Sequence, residues 1–196
     1  MNAACLVMAG GKGSRMHQNV EKPLIEIAGR PMVQYVIEAV QHSRSIDRVF
    51  VTTSKHTPET AATLRSIGFN VIETSGDDYV DDTKLAVKSL GLKKTLVISA
   101  DLPLITAKII DEVIRRYEIS GKPALAVAIP RLSENTKEGL AFAGVNMIDG
   151  EKINEKTLDE EVMIVGRVEV MLNVNTPEDL ELVRAIIQSI QHEPRN

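Results

Sequence analysis

Apolar positions recur along this chain in two rhythms that take turns. The run Ala3 to Met8 is apolar throughout and ends at a glycine cluster, which predicts a strand buried on both faces. After a turn at Gly29 and Arg30, Pro31 opens a segment with Met32, Val33, Val36, Ile37 and Val40 on one face, the spacing of an amphipathic helix with proline first. Val49 to Val51 predicts a strand, Thr57-Pro58 a helix cap and start, Gly68 its stop, and Val71-Ile72 another strand. A helix through Leu85 and Ala86 to Gly91 follows, then a strand over Thr95 to Ala100. Next come a Thr106-capped helix with Ile109, Ile110, Val113 and Ile114 inward and a strand over Ala124 to Ile129. Such alternation implies βαβ units and a mostly parallel sheet. Beyond Pro130 the rhythm breaks. Residues 131–139 predict an exposed loop, and Leu140–Ile148 and Val162–Val174 are strand-like, a hairpin or small mixed-sheet excursion. The last helix has Thr176 as cap, Pro177 first, and Leu180, Val183, Ile186, Ile187 and Ile190 as its buried stripe. With no repeat or linker, residues 1–196 are expected to form one domain.

Composition narrows the class. Of 196 residues, 43% are hydrophobic and 26% charged, and the net charge of −4 is spread along the chain, which excludes a surface made to coat nucleic acid. No apolar stretch approaches the ~18 residues of a membrane span and no signal peptide is apparent, so a cytoplasmic protein is expected. The single cysteine, Cys5, lies in an apolar strand and reads as a buried structural thiol, not a nucleophile. His17, His42, His56 and His192 have no catalytic spacing and are expected to be exposed.

The chemistry is concentrated in LVMAGGKGSRM, Leu6 to Met16. Gly10, Gly11 and Gly13 let the backbone come close to a ligand, and successive N–H groups in such a turn bind anions. Lys12 and Arg15 add two cations, so the loop suits a polyphosphate. It is not a Walker A loop, because Gly13 follows Lys12, nor a dinucleotide fingerprint, because Met16 occupies the third glycine position. A second candidate is Asp101, delivered by the strand Thr95–Ala100 at its carboxyl end, where ligands bind in open parallel sheets. One carboxylate there, with substrate phosphates and water, is enough for Mg²⁺. A third is the tail VMLNVNTPEDL, where Asn173 and Asn175 would share one side of a strand. Asn173 is the preferred site residue, and Asn175 could equally belong to the turn before Thr176.

This loop, followed by Glu21-Lys22-Pro23-Leu24, resembles the signature of the nucleotidyltransferases of nucleotide-diphospho-sugar transferase fold. The resemblance implies a Rossmann-like three-layer α/β sandwich with a mostly parallel mixed sheet. It also implies that Met8, Ala9, Gly10, Gly11, Lys12, Gly13, Lys22, Thr74, Ser75, Gly76 and Asp101 bind the nucleotide. Lys12 and Arg15 would meet the β- and γ-phosphates, Lys22 the α-phosphate and the acceptor phosphate, and Asp101 the metal; these four form the catalytic set. Asp77, Asp78, Asp81 and Asp82 are expected to be only the solvated start of a helix. The short chain and the NVNTPEDL ending are most similar to the archaeal GTP:adenosylcobinamide-phosphate guanylyltransferases. That implies GTP and adenosylcobinamide phosphate as small-molecule substrates, Mg²⁺ as cofactor, a possible homodimer, and Gly144, Asn146 and Asn173 on the acceptor side. Molybdenum-cofactor guanylyltransferases are similar too, sugar-phosphate and cytidylyl transfer are more distant, and a non-catalytic GTP-binding module is the reading from another class.

Overall fold

A computed structural model of the chain describes residues 2–16, 20–131 and 139–192. The loop expected over 131–139 falls almost wholly outside these, as do His17 and the side chain of His192. In chain order the elements are β1 (Ala3–Met8), β2 (Glu26–Ile27), β3 (Arg30–Pro31), α1 (Met32–Gln41), β4 (Ile46–Ser54), α2 (Pro58–Ser66) and β5 (Asn70–Thr74). Then follow α3 (Tyr79–Ser89), β6 (Lys94–Ser99), α4 (Ala107–Ser120), β7 (Ala124–Arg131), β8 (Gly139–Asp149), β9 (Glu160–Ile164), α5 (Val168–Met171) and α6 (Pro177–His192).

Seven strands form one sheet in the order β5-β4-β1-β6-β8-β7-β9. β1 pairs in parallel with β4 and β6, β4 with β5, and β7 with β9, whereas β8 is antiparallel to both its neighbours. β8 therefore runs against the other six. Helices cover both faces, the mostly parallel mixed α/β architecture that the alternation implied. Cys5 and Val7 of β1 pack with Val36 of α1, Leu64 of α2 and Ile110 of α4 on one face; Ala4 and Leu6 pack with Ala86 and Val87 of α3 on the other. An apolar strand covered twice has no polar side, which is why β1 reads as an unbroken apolar run.

A second, smaller core lies beside the sheet. Met16, Ile25, Ile27, Met32 and Leu104 meet Val174, Leu180, Val183 and Ile187 there. The β2–β3 ribbon that frames it turns through Ala28 and Gly29, both at positive φ (49° and 76°), as a tight two-residue hairpin requires. This core pins three distant segments to one another: the far end of the glycine loop through Met16, the chain just after Lys22-Pro23 through Ile25, and the tail before α6 through Val174.

Four expectations need correction. The stretch Val162–Val174 is not one strand: β9 ends at Ile164, α5 follows, and residues 172–175 lie outside helix and strand. Helix α1 begins at Met32, with Pro31 as its cap. Thr57 does not cap α2 with its side chain; its hydroxyl accepts the Ser54 N–H instead (3.0 Å). Ile190 stands 62% exposed, because the second core ends at Ile187.

Candidate active site

The site is built where the parallel strands end. β1 stops at Met8, and the chain is held there by Ala9 N–H to the Thr52 carbonyl (2.9 Å) and Ala100 N–H to the Met8 carbonyl (3.0 Å). Gly10 then passes tight against β4: a Cβ would lie 3.2 Å from Ser54 Cβ, and the Ser54 hydroxyl donates to the Gly10 carbonyl (2.7 Å). Gly13 has φ +59°, and a Cβ there would lie 2.9 Å from Lys22 Cβ. Glycine at this position is what lets the Lys22 segment cross beneath the loop. Gly11 has open space above it, with Lys12 60% exposed.

Lys22 is the hub. Its Nζ donates to Asp101 Oδ2 at 2.6 Å and to Asn175 Oδ1 at 3.1 Å, and Arg15 Nη2 donates to the same Asn175 oxygen at 3.0 Å. Lys22 and Asp101 are only 15% and 16% exposed, so their attraction is little screened and neither charge could stand alone cheaply. Asp101 Oδ1, the other carboxylate oxygen, is buried with no hydrogen-bond partner among the described residues. A buried, unpartnered anionic oxygen beside open space fits a divalent cation that completes its shell with phosphate oxygens and water. No group of three or more metal-ligating side chains occurs among the described residues, so Asp101 would hold such an ion chiefly by itself.

Asn175 reaches this place because the preceding Val174 is anchored twice. Its side chain is fully buried in the second core, and its N–H donates to the Asp101 carbonyl (2.9 Å). Next in chain, α6 starts with a reciprocal cap. Asp179 N–H donates to Thr176 Oγ1, while Asp179 accepts from Thr176 N–H (2.8 Å) and Asn175 N–H (2.9 Å). The structure thus joins Asn175 to Lys22 and Arg15. Asn173 lies two residues away, without the shared strand that the alternation had suggested.

The lysine is steadied by its own neighbour. Glu21 accepts the N–H groups of Glu59 (2.8 Å) and Thr60 (2.7 Å) and the Thr60 hydroxyl (2.6 Å), so a carboxylate from a distant loop caps α2. Sequence reasoning gave Glu21 no role. The available signal was a gap: Thr57 is followed at the third position by Thr60, where a self-contained capping box has Glu or Gln.

The Thr74–Gly76 loop closes the other wall. Gly76 (φ +73°) lies against β4, where a Cβ would be 2.6 Å from Ser54 Cβ and 2.9 Å from His56 Cδ2. The Thr74 hydroxyl donates to the Thr53 carbonyl (3.2 Å), and Ser75 and Gly76 donate their N–H groups to Asp82. Asp82 is thus a buried brace (6% exposed), not part of a solvated helix start, whereas Asp78 does cap α3 through Val80 and Asp81 N–H. Asp77 remains at the mouth of the cleft, bound to Lys55 (2.8 Å) and near Lys12 (4.0 Å) and His56 (3.9 Å). The Lys55 hydrogen bond holds its carboxyl below the usual range. His56 is half-buried, not exposed, and its Nε2 has no hydrogen-bond partner among the described residues; His42 is exposed as expected. Together Gly11, Lys12, Arg15, Lys22, Asp101 and Asn175 line a cleft of about 380 Å³.

Across β6 lies the region assigned to the acceptor. Gly144 has φ +72°, at an irregularity in the pairing of β7 and β8, and a Cβ there would lie 3.1 Å from Ser99 Cβ, two residues before Asp101. Asn146 lies further along β8, opposite Val97 and Ala126. Burial of the Tyr79 hydroxyl, at the start of α3, pushes that phenol up to about 12.

A cationic glycine loop, a buried lysine–aspartate pair and an α/β sheet that delivers both at its carboxyl edge define a nucleotidyl-transfer site. The chain belongs to the family of MobA-like NTP transferase domains, whose profile matches residues 5–148. It is 34% identical to the adenosylcobinamide-phosphate guanylyltransferase of Methanocaldococcus jannaschii, over 93% of this chain and 96% of that one. It is 30% identical to a probable molybdenum cofactor guanylyltransferase of Thermococcus kodakarensis, over 89% and 90%. In fold it is similar to a CMP:2-keto-3-deoxy-manno-octonic acid synthetase solved with CTP (TM-score 0.78, 16% identity, 97% of this chain and 100% of that one).

Proposed function

We propose that this nucleotidyltransferase moves GMP from GTP to adenosylcobinamide phosphate, giving adenosylcobinamide-GDP and pyrophosphate. Lys22, held against Asp101 and Asn175 in front of the glycine loop, is the observation that carries the chemistry. The similarity to the Methanocaldococcus enzyme along nearly the whole chain supports this nucleotide and acceptor.

An acceptor phosphate oxygen attacks the α-phosphorus in line; the bond to the bridging oxygen of pyrophosphate breaks and its electron pair leaves with pyrophosphate. The acceptor phosphate is already anionic at neutral pH, so no side chain has to remove a proton. The task of the protein is alignment and charge neutralisation. The backbone of Met8 to Gly13 cradles the triphosphate, Lys12 and Arg15 meet its β- and γ-phosphates, and the Thr74–Gly76 wall borders the base. Lys22 turns from Asp101 towards the α-phosphate and the incoming phosphate, reducing the repulsion between two anions. Asp101 would hold magnesium, which when bound supplies charge neutralisation at the phosphate oxygens. Gly144, Asn146 and Asn173 face the acceptor. The whole chain acts as one domain in the cytoplasm, and a homodimer is its proposed assembly.

A second reading, transfer of GMP to molybdopterin, has the Thermococcus relative in its favour. One experiment separates the two. Each of the four NTPs is offered with cobinamide phosphate, molybdopterin or a sugar 1-phosphate, and pyrophosphate is measured. Release with GTP and cobinamide phosphate is expected. Release only with CTP or UTP overturns the guanylyl reading, and release with GTP and molybdopterin alone overturns the acceptor.

A further inference from the structure

A cleft that takes a triphosphate calls for positive charge, yet Asp77 lines the same cleft as Lys12, Arg15 and Lys22. Its carboxylate has no part in starting α3: Asp78 is the cap there, accepting the Val80 and Asp81 N–H groups. Nor does it brace the wall, since Asp82 accepts the N–H groups of Ser75 and Gly76. Among the described residues the Asp77 side chain is paired only with basic groups. Its Oδ2 accepts from Lys55 Nζ (2.8 Å), while Oδ1 faces Lys12 Nζ at 4.0 Å and His56 Nε2 at 3.9 Å.

The fold fixes this placement. The Ser54 hydroxyl, at the end of β4, donates to the Gly10 carbonyl (2.7 Å) and accepts from the His56 N–H (3.1 Å). Gly76 packs against the same side chain, where a Cβ would lie 2.4 Å from Ser54 Oγ. The next N–H in the chain, that of Asp77, donates to Ser75 Oγ (3.1 Å), which itself donates to the buried Asp82 (2.9 Å). One serine thus spaces the glycine loop, the Lys55-His56 turn and the Asp77 loop. Lys12 reaches out from the first, Lys55 from the second and the carboxylate from the third.

We infer that Asp77 is an internal competitor of the triphosphate for Lys12, and that it holds down the affinity of the cleft for pyrophosphate as well as for nucleotide. This deepens the proposed function and rests on its placing of Lys12 at the β- and γ-phosphates. For a ligand to claim Lys12, the lysine must leave Asp77 while an anion approaches a carboxylate. Lys55 is the tether: it keeps Asp77 at hydrogen-bond distance, with Lys12 standing further off. The penalty falls on every phosphate chain alike. A nucleotide offsets it with contacts along the Thr74–Gly76 wall. Pyrophosphate has no such contacts, so it is the more easily expelled after transfer. Asp77 and Lys12 are both more than half exposed (54% and 60%), so solvent screens the pair and the effect is severalfold, not orders of magnitude.

The test titrates wild type, Asp77→Asn, Lys55→Ala and the double variant with a non-hydrolysable GTP analogue and, separately, with pyrophosphate, magnesium being present throughout. Asn keeps the size of Asp at an exposed position, and Lys55 is exposed as well, so the variants fold. Calorimetry should show Asp77→Asn binding both ligands about threefold to fivefold more tightly at low salt, the gain shrinking below about twofold at about 0.5 M salt. The single-turnover rate at saturating GTP and acceptor should stay within about twofold of wild type. Lys55→Ala should weaken both ligands about twofold in the wild-type background and not at all beside Asp77→Asn, because it acts through the released carboxylate. Equal or weaker binding by Asp77→Asn overturns the inference, since Asp77 would then support the ligand or only hold its loop. A gain that salt does not reduce overturns it too. Equal weakening by Lys55→Ala in both backgrounds overturns the tether and gives Lys55 to the phosphate itself. The proposed function fails on a separate reading, absence of GMP transfer to cobinamide phosphate by a wild type that binds both ligands.

Discussion

At Lys22 two demands meet in one side chain: it is paired with Asp101 here, and under the proposed mechanism it turns to phosphate. Truncating either partner leaves the other charge largely buried and unpaired. Lys22→Met and Asp101→Asn should each lower kcat by about 10²–10³. The double variant should be far less impaired than the product of the two, as expected for groups that act as a unit. Steady-state kinetics on the four proteins checks this, and simple multiplicativity would mean that the two groups act apart. Residue types were the most legible feature of the site: glycines in a cationic turn and an aspartate at a strand end announce phosphate chemistry by their composition. Which asparagine reaches the lysine was not legible. Asn-Val-Asn reads as alternation, and only the burial of Val174 and its bond to the Asp101 carbonyl reveal the turn that brings Asn175 inward.

Elements here are fixed as much by what caps them as by their own periodicity. Helix α2 has modest apolar content and no capping hydrogen bond from Thr57, so Glu21 supplies its missing acceptor. Glu21→Ala should cost about 1–2 kcal/mol of stability, measured by chemical denaturation, and should also reduce kcat, because Lys22 loses its fixed neighbour. Glu21→Gln, which keeps one carbonyl oxygen, should recover part of both. A loss of stability with unchanged kcat would show that the cap serves α2 alone. The longer strands and helices of the first 130 residues were readable because each has a buried stripe or run of its own, unlike the two-residue β2 and β3, and beyond Pro130 β8 and α6 were readable too. β9 and α5 were not. A five-residue edge strand and a four-residue helix carry too few turns for a period to emerge, and α5 is held by the core beneath Val170, not by its own pattern.

For the molecule as a whole, β1 is the spine of the sheet: its residues enter the main core on one face and the cluster beneath α3 on the other. Cys5 at its middle is fully buried, and burial pushes its thiol up in pKa, as the apolar run around it suggested. It should therefore resist thiol reagents in the native state and react only on global unfolding, with a rate that rises with denaturant in step with the loss of secondary structure. Fast labelling of the folded protein would show that β1 opens locally. The overall α/β layout was legible from alternation, and so was a hairpin or mixed-sheet excursion beyond Pro130, but the insertion of β8 between β6 and β7 was not, since an antiparallel strand buried on one side looks locally like any other. That insertion divides the protein along a single seam. Apart from Asn175, the groups proposed to grip the triphosphate lie on one bank of it, and Gly144 and Asn146, proposed for the acceptor, lie on the other. A lineage could thus exchange one cargo for another by rewriting the far bank alone, leaving the phosphate machinery untouched.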